Sequence, residues 1–219
     1  MIKYRIKGIV INVLYFLVKF LPSGMKANRW QRFLYIKRLK RIDEAVADVE
    51  IAKDLGVKIG KDCRFYGVEF GPEPYLVEIG DGVLISNSVM FITHDGAIFI
   101  FMKEKKNIAG QFGKIKIGNN CFIGFRSIIL PNVQLGDNCI VAAGSVVADS
   151  FPDNSVIMGN PAKLIFKTEL FKKMKLLSKL TIYNDDHPFP DFDVKLPHEV
   201  RKEIILNSID QIPIRKPRK

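Results

Sequence analysis

Histidine is scarce in this chain of 219 residues, which has three, and cysteine is equally scarce at three. No CxxC pair occurs, so neither a zinc knuckle nor a disulfide framework is expected, and the thiols fit a reducing compartment. Acidic residues are missing altogether from residues 1–41, which hold eleven Lys and Arg. The chain has 34 basic and 23 acidic residues, so the remainder carries 34 − 11 = 23 of each sign. The net charge of +11 therefore belongs to the N-terminal segment, and the neutral body has no need of a nucleic-acid partner. A long apolar run is also lacking. IVINVLYFLVKFL (9–21) is interrupted by Asn12 and Lys19 and falls short of the ~20 residues a membrane span needs. Written as a helix, it lines up Arg5, Asn12 and Lys19 at seven-residue spacing, a narrow polar stripe on a broad apolar surface. Such a helix suits either an anionic membrane surface or another protein surface. No small-residue cleavage site follows it, which disfavours a secretory leader. WQRFLYIKRLKR (30–41) is read as a second basic helix.

What the sequence has in abundance is a period of six. From residue 117 it divides into IGNNCF, IGFRSI, ILPNVQ, LGDNCI, VAAGSV and VADSFP. The first positions are Ile117, Ile123, Ile129, Leu135, Val141 and Val147, all aliphatic. The fifth positions, among them Cys121, Ser127, Cys139 and Ser145, are mostly small. The register recurs earlier from Ile79, Ile85 and Phe91, with one copy at Ile59. A period of six is neither helical nor a plain strand alternation. It suits a short strand followed by a corner, with Gly, Asn and Asp supplying turn conformations and stacked coils sharing one core. Cys63, Cys121 and Cys139 all fall on the fifth position and are read as small buried fillers. GPEPYLVE (71–78) interrupts the early copies and predicts an irregular corner.

These hexads resemble the hexapeptide-repeat acyltransferases over roughly residues 57–166. THDG (93–96), AAGSVV (142–147) and GNPAKLI (159–165) resemble motifs of the sugar O-acetyltransferases of polysaccharide and lipopolysaccharide biosynthesis. The resemblance implies a mainly β fold, a left-handed parallel β-helix with helices at both ends. It divides the chain into a basic helical region 1–56, a β-helix 57–166 and a helical or irregular extension 167–219. It implies a homotrimer with its active site between subunits, acetyl-CoA as co-substrate, no metal, and a cytoplasmic enzyme, peripheral on the inner face of the membrane if residues 1–41 bind lipid. The repeat breaks after FITHDG, and residues 97–114 are read as a protruding loop.

Within that resemblance, His94 is the candidate general base, since a sugar hydroxyl needs a proton acceptor within hydrogen-bond reach as it attacks a thioester. Asp95, or a backbone carbonyl, is the candidate to orient the ring. Asn87, at a turn position, is the candidate to position the acceptor. Phe125, Ala143 and Ser145 match coenzyme contact positions, and Lys163 with Lys167 matches bases near the coenzyme phosphates. Three alternatives stand beside O-acetyl transfer. An amine acceptor would use the same base, a non-catalytic solenoid would use none, and a three-histidine zinc site would need His187 and His198 to fold back onto the repeats. Residues 166–180 and 198–209 are read as helices flanking an irregular, Pro- and Asp-rich stretch.

Overall fold

A computed structural model describes residues 44–101, 110–178, 181 and 196–209. The two basic stretches expected to be helical, and His187, lie outside the described residues. The chain divides into two compact units, residues 1–168 and 169–219.

The first unit is built as the hexads predict. Its strands are mostly two residues long, formed by the last residue of one hexad and the first of the next, as in β10 (Phe122–Ile123) and β11 (Ile128–Ile129). They stack in parallel into three walls. The first wall holds β1 (Lys58–Ile59), β4 (Val77–Ile79), β9 (Ile115–Ile117) and β12 (Gln134–Leu135). The second holds β2 (Arg64–Phe65), β5 (Leu84–Ile85), β10, β13 (Ile140–Val141) and β15 (Ser155–Gly159). The third holds β3 (Glu69–Phe70), β6 (Met90–Phe91), β11 and β14 (Val146–Val147). Each coil visits the walls in order, so Ile123 pairs with Ile85 on one side and Val141 on the other. The result is a left-handed parallel β-helix of hexapeptide repeats.

The period has a physical cause in the corners. The fourth residue of a hexad takes a left-handed conformation, at φ 53° for Asn120, 66° for Asn132 and 57° for Asn138. Asn tolerates that region better than most side chains, which explains its recurrence at this position. The first residue points inward. Ile117, Ile123, Ile129, Leu135, Val141 and Val147 are all buried, and so are the three cysteines. Each cysteine Sγ lies near a carbonyl of the next coil, as Cys63 does with Gly80 at 3.1 Å and Cys121 with Gly136 at 3.2 Å. Burial pushes the Cys63 thiol above its ordinary range.

Helix α1 (Glu44–Asp54) closes the N-terminal end of the stack. Val49 and Ala52 join the core cluster that contains Phe65, and Asp48 accepts the Gly67 N–H. At the other end β15 turns back antiparallel into β16 (Ala162–Lys167). Residues 166 and 167, expected to begin a helix, complete this strand instead, because they still pair with Val156 and Ser155. Helix α2 spans Thr168–Leu176, beginning at the last residue of the first unit, and in the second unit α3 spans His198–Ile209. Among the described residues no helix is long and apolar enough to cross a membrane.

Candidate active site

The corner between the third and first walls is where the coils are least regular. From Ile129 to Leu135 it takes six positions, but from Phe70 to Ile79 it takes nine, and from Phe91 to Ile117 twenty-six. The two lengthened corners belong to neighbouring coils, because β3 pairs with β6 and β4 with β9. Chain added at stacked corners has to share the same outer space, so the two insertions meet.

His94 lies where the longer insertion leaves the stack. It forms β7 (His94–Asp95), which pairs antiparallel with β8 (Gln111–Phe112), so the excursion is pinned at its root by a two-residue ribbon. The Phe112 ring sits 6.1 Å from the imidazole, and the side chain of His94 is 40% exposed. Its Nδ1 lies 3.0 Å from Oε2 of Glu73, which comes from the shorter insertion. The same Oε2 accepts a hydrogen bond from the hydroxyl of Thr93 at 2.7 Å. Thr93 is fully buried, and the Glu73 side chain is only 14% exposed. The Thr93 hydrogen bond, with further help from His94, holds the Glu73 carboxyl below the usual carboxylate range although burial opposes it. An ionised carboxylate can only accept, so Nδ1 carries the proton and, in the neutral ring, Nε2 is the basic nitrogen. Among the described residues Nε2 has no hydrogen-bond partner.

Glu73 was not among the residues singled out from sequence. Two signals pointed toward it: a glutamate between Pro72 and Pro74, and a corner three positions too long. Asp95, the carboxylate next to His94 in sequence, is occupied locally, where Oδ1 accepts the Ala97 N–H at 2.8 Å. That bond opens the 3-10 stretch Gly96–Phe101, along which Phe99 and Ile100 are 73% and 69% exposed.

The other candidates gather elsewhere, on the corner between the second and third walls. Phe125 is exposed there, with the Arg126 guanidinium 5.1 Å from its ring centroid. The Gly144 N–H bonds to the Phe125 carbonyl at 2.8 Å, which stacks the exposed Ala143 on the same edge. Gly124 makes the close approach possible: a Cβ there would lie 2.5 Å from the Ala143 backbone nitrogen. Ser145 turns inward instead, fully buried, donating to the Ala142 carbonyl at 2.7 Å and accepting the Gly159 N–H at 3.2 Å. That second bond ties the 159–162 turn to this corner. Lys163 follows the turn, exposed, with Nζ 3.2 Å from Oδ2 of Asp149. Asn87 belongs to this corner as well, since its carbonyl accepts the Arg126 N–H at 3.1 Å and its Oδ1 accepts from the Ser88 hydroxyl at 2.6 Å. Lys167 stands at the far end of β16, opposite Ser155, away from Lys163. One chain thus holds a polarised imidazole on one corner and an open, small-residue edge with a lysine on another.

The hexapeptide repeats have counterparts among known proteins. The bacterial transferase hexapeptide family (six repeats) matches residues 114–149. Protein CapG of Staphylococcus aureus is 42% identical over 181 residues, covering 81% of this chain and 96% of CapG. Galactoside O-acetyltransferase of Escherichia coli (strain K12) is 37% identical over 93 residues, 42% of this chain and 45% of that protein. Among solved structures, a hexapeptide-repeat acetyltransferase of Vibrio cholerae in complex with acetyl coenzyme A covers 66% of this chain and 89% of its own, at 21% identity and a TM-score of 0.47. By its extended similarity to CapG and its matched repeats, the chain belongs to the bacterial hexapeptide-repeat transferases.

Proposed function

We propose that this transferase moves the acetyl group of acetyl-CoA to a hydroxyl of a sugar or glycan, with His94 as general base. The observation that carries the reading is the half-exposed imidazole whose Nδ1 is engaged by Glu73 while Nε2 is left to accept a proton. The acceptor O–H gives its proton to Nε2 as the oxygen attacks the acetyl carbonyl. The imidazolium then returns the proton to the departing sulfur. Acetyl-CoA supplies the activated thioester. The edge formed by Gly124, Phe125 and Ala143, with the Arg126 guanidinium over the Phe125 ring, offers its arm an exposed surface, and Lys163 offers a cation for its phosphates. Asn87 stands on this coenzyme edge, where a contact to the acceptor through its side chain is also open.

Because these two sets of residues occupy different corners of one chain, the complete site requires a second copy. The outer faces of the walls support a homotrimer. Leu84, Phe122 and Ile140 line up on the second wall beyond Arg64, and Met90, Ile128 and Val146 on the third beyond Glu69, so both are apolar past the first coil, whereas the first wall presents Lys58, Glu78, Lys116 and Gln134 throughout. Two apolar faces and one polar face are what a closed ring of three asks of each subunit. Residues 1–41, with eleven basic residues and a short apolar run, would bind the anionic inner face of a membrane and bring the site to a lipid-linked glycan. Sedimentation of the full chain with anionic vesicles, weakening as salt rises, is expected on this view.

The test of function is an acceptor screen with purified protein and acetyl-CoA, reading release of free thiol. Monosaccharides, nucleotide sugars and lipid-linked oligosaccharides should include at least one that accelerates release, with the product acetylated at oxygen. Acetylation at nitrogen would replace the sugar hydroxyl with an amine, and no acceleration by any of them would refute the assignment.

A further inference from the structure

We propose that Glu73 is the positioning residue of the base: its carboxylate fixes the proton of His94 on Nδ1, aims Nε2 outward, and stabilises the imidazolium formed during transfer. This rests on the reading of His94 as general base and adds to it a residue from another coil.

Four observations carry it. First, Glu73 reaches His94 only because its corner is three positions longer than the regular six, and that lengthening occurs directly beneath the excursion that carries His94. Second, the carboxylate is held from both sides. Pro72 and Pro74 flank it and restrict the backbone, and the Leu76 N–H closes a 3-10 turn on the Glu73 carbonyl at 3.0 Å. Third, the fully buried Thr93 donates its hydroxyl to the same Oε2 that faces Nδ1. Thr93 is itself fixed, its carbonyl accepting the Gly113 N–H at 2.8 Å where the excursion re-enters the stack. Fourth, the competing carboxylate, Asp95, is committed to the Ala97 N–H and is not the partner of Nδ1. A carboxylate this enclosed and this constrained holds the ring in one orientation before substrate arrives, which is what efficient proton transfer requires. The imidazolium that forms as the proton moves gains a fixed negative partner 3.0 Å away.

The experiment is a double-mutant cycle of Glu73 and His94 in the full-length chain, read as kcat and KM for acetyl-CoA and for the acceptor found in the screen. Glu73→Gln, which keeps the size of the side chain and removes the charge, and Glu73→Ala should each lower kcat by ~10–100-fold, within the ~10²–10⁴-fold that a general base contributes. Both KM values should stay within about twofold. In the His94→Ala background either change should have no further effect, because a residue that acts through the imidazole has nothing left to act on. Should Glu73→Gln lower kcat equally with and without His94, the carboxylate serves some other purpose and the proposal fails. Should His94→Ala abolish transfer while both Glu73 variants retain full kcat, the base stands and its positioning by Glu73 is refuted. Should His94→Ala be fully active, the base assignment itself is overturned and this proposal with it.

Discussion

Phe70 and Phe91 lie ring against ring, centroids 5.2 Å apart and planes 12° apart. They are the last residues of β3 and β6, so this stack is the final piece of regular scaffold before each of the two insertions departs. Phe91 is fully buried, and Thr93 and His94 follow within three residues. Precision at the imidazole is thus inherited from packing in the core.

Phe91→Ala removes a buried ring and leaves a cavity beneath both insertions. It should lower unfolding stability by about 3–5 kcal/mol, measured by urea denaturation. Transfer by the fraction still folded should fall as well, because the Thr93–Glu73–His94 arrangement loses its support.

Gly124→Ala tests the proposed coenzyme edge. Its new Cβ would lie 2.5 Å from a backbone nitrogen of the next coil, which no side-chain rotation can relieve. The two coils must part, at a cost of about 1–3 kcal/mol. The KM for acetyl-CoA should rise more than the KM for the acceptor, since Phe125 and Ala143 are displaced together while His94 sits on another corner.

The Glu73 carboxyl should titrate below an ordinary glutamate, followed by carboxyl NMR, and Thr93→Val should raise it because the Thr93 hydroxyl is the main cause of the depression. A carboxyl depressed by folding contributes stability above its unfolded value. That contribution is lost as pH falls through the lower folded value. The wild type should therefore lose more stability on acidification than Glu73→Gln does.

Lys163 offers its charge from an exposed pair with Asp149, with side chains 65% and 63% accessible, and such pairs are worth little to the fold. Lys163→Glu should leave the melting temperature unchanged and raise the KM for acetyl-CoA by about tenfold, on the order of one charge-assisted phosphate contact. Steady-state kinetics at low and high salt would show the difference shrinking as salt rises.

The architecture was legible because its cause is local and repeated. Each aliphatic first position and each Asn at a left-handed fourth position reports the same inward turn, and helix α3 begins and ends where residues 198–209 predicted. The location of His94 at the root of an excursion was legible for the same reason, as a break in the period. Glu73 was not, because its partner lies 21 residues away and the two meet only when neighbouring coils stack. Sequence adjacency pointed to Asp95, whose carboxylate is spent two residues on, at Ala97. Ser145 sits on the expected corner but its hydroxyl faces the core, since the fifth position of a hexad points inward whatever residue fills it. Lys167 is close to Lys163 in sequence, but β16 is extended and places the two near its opposite ends.

The central claim is that the Nε2 nitrogen of His94 takes the acceptor's proton. The most direct measurement is thiol release from acetyl-CoA with a saturating acceptor, comparing wild type with His94→Ala at equal folded concentration. A fall in kcat of at least ~100-fold, with acetyl-CoA binding retained, is the result expected. A variant that turns over at the wild-type rate would contradict it.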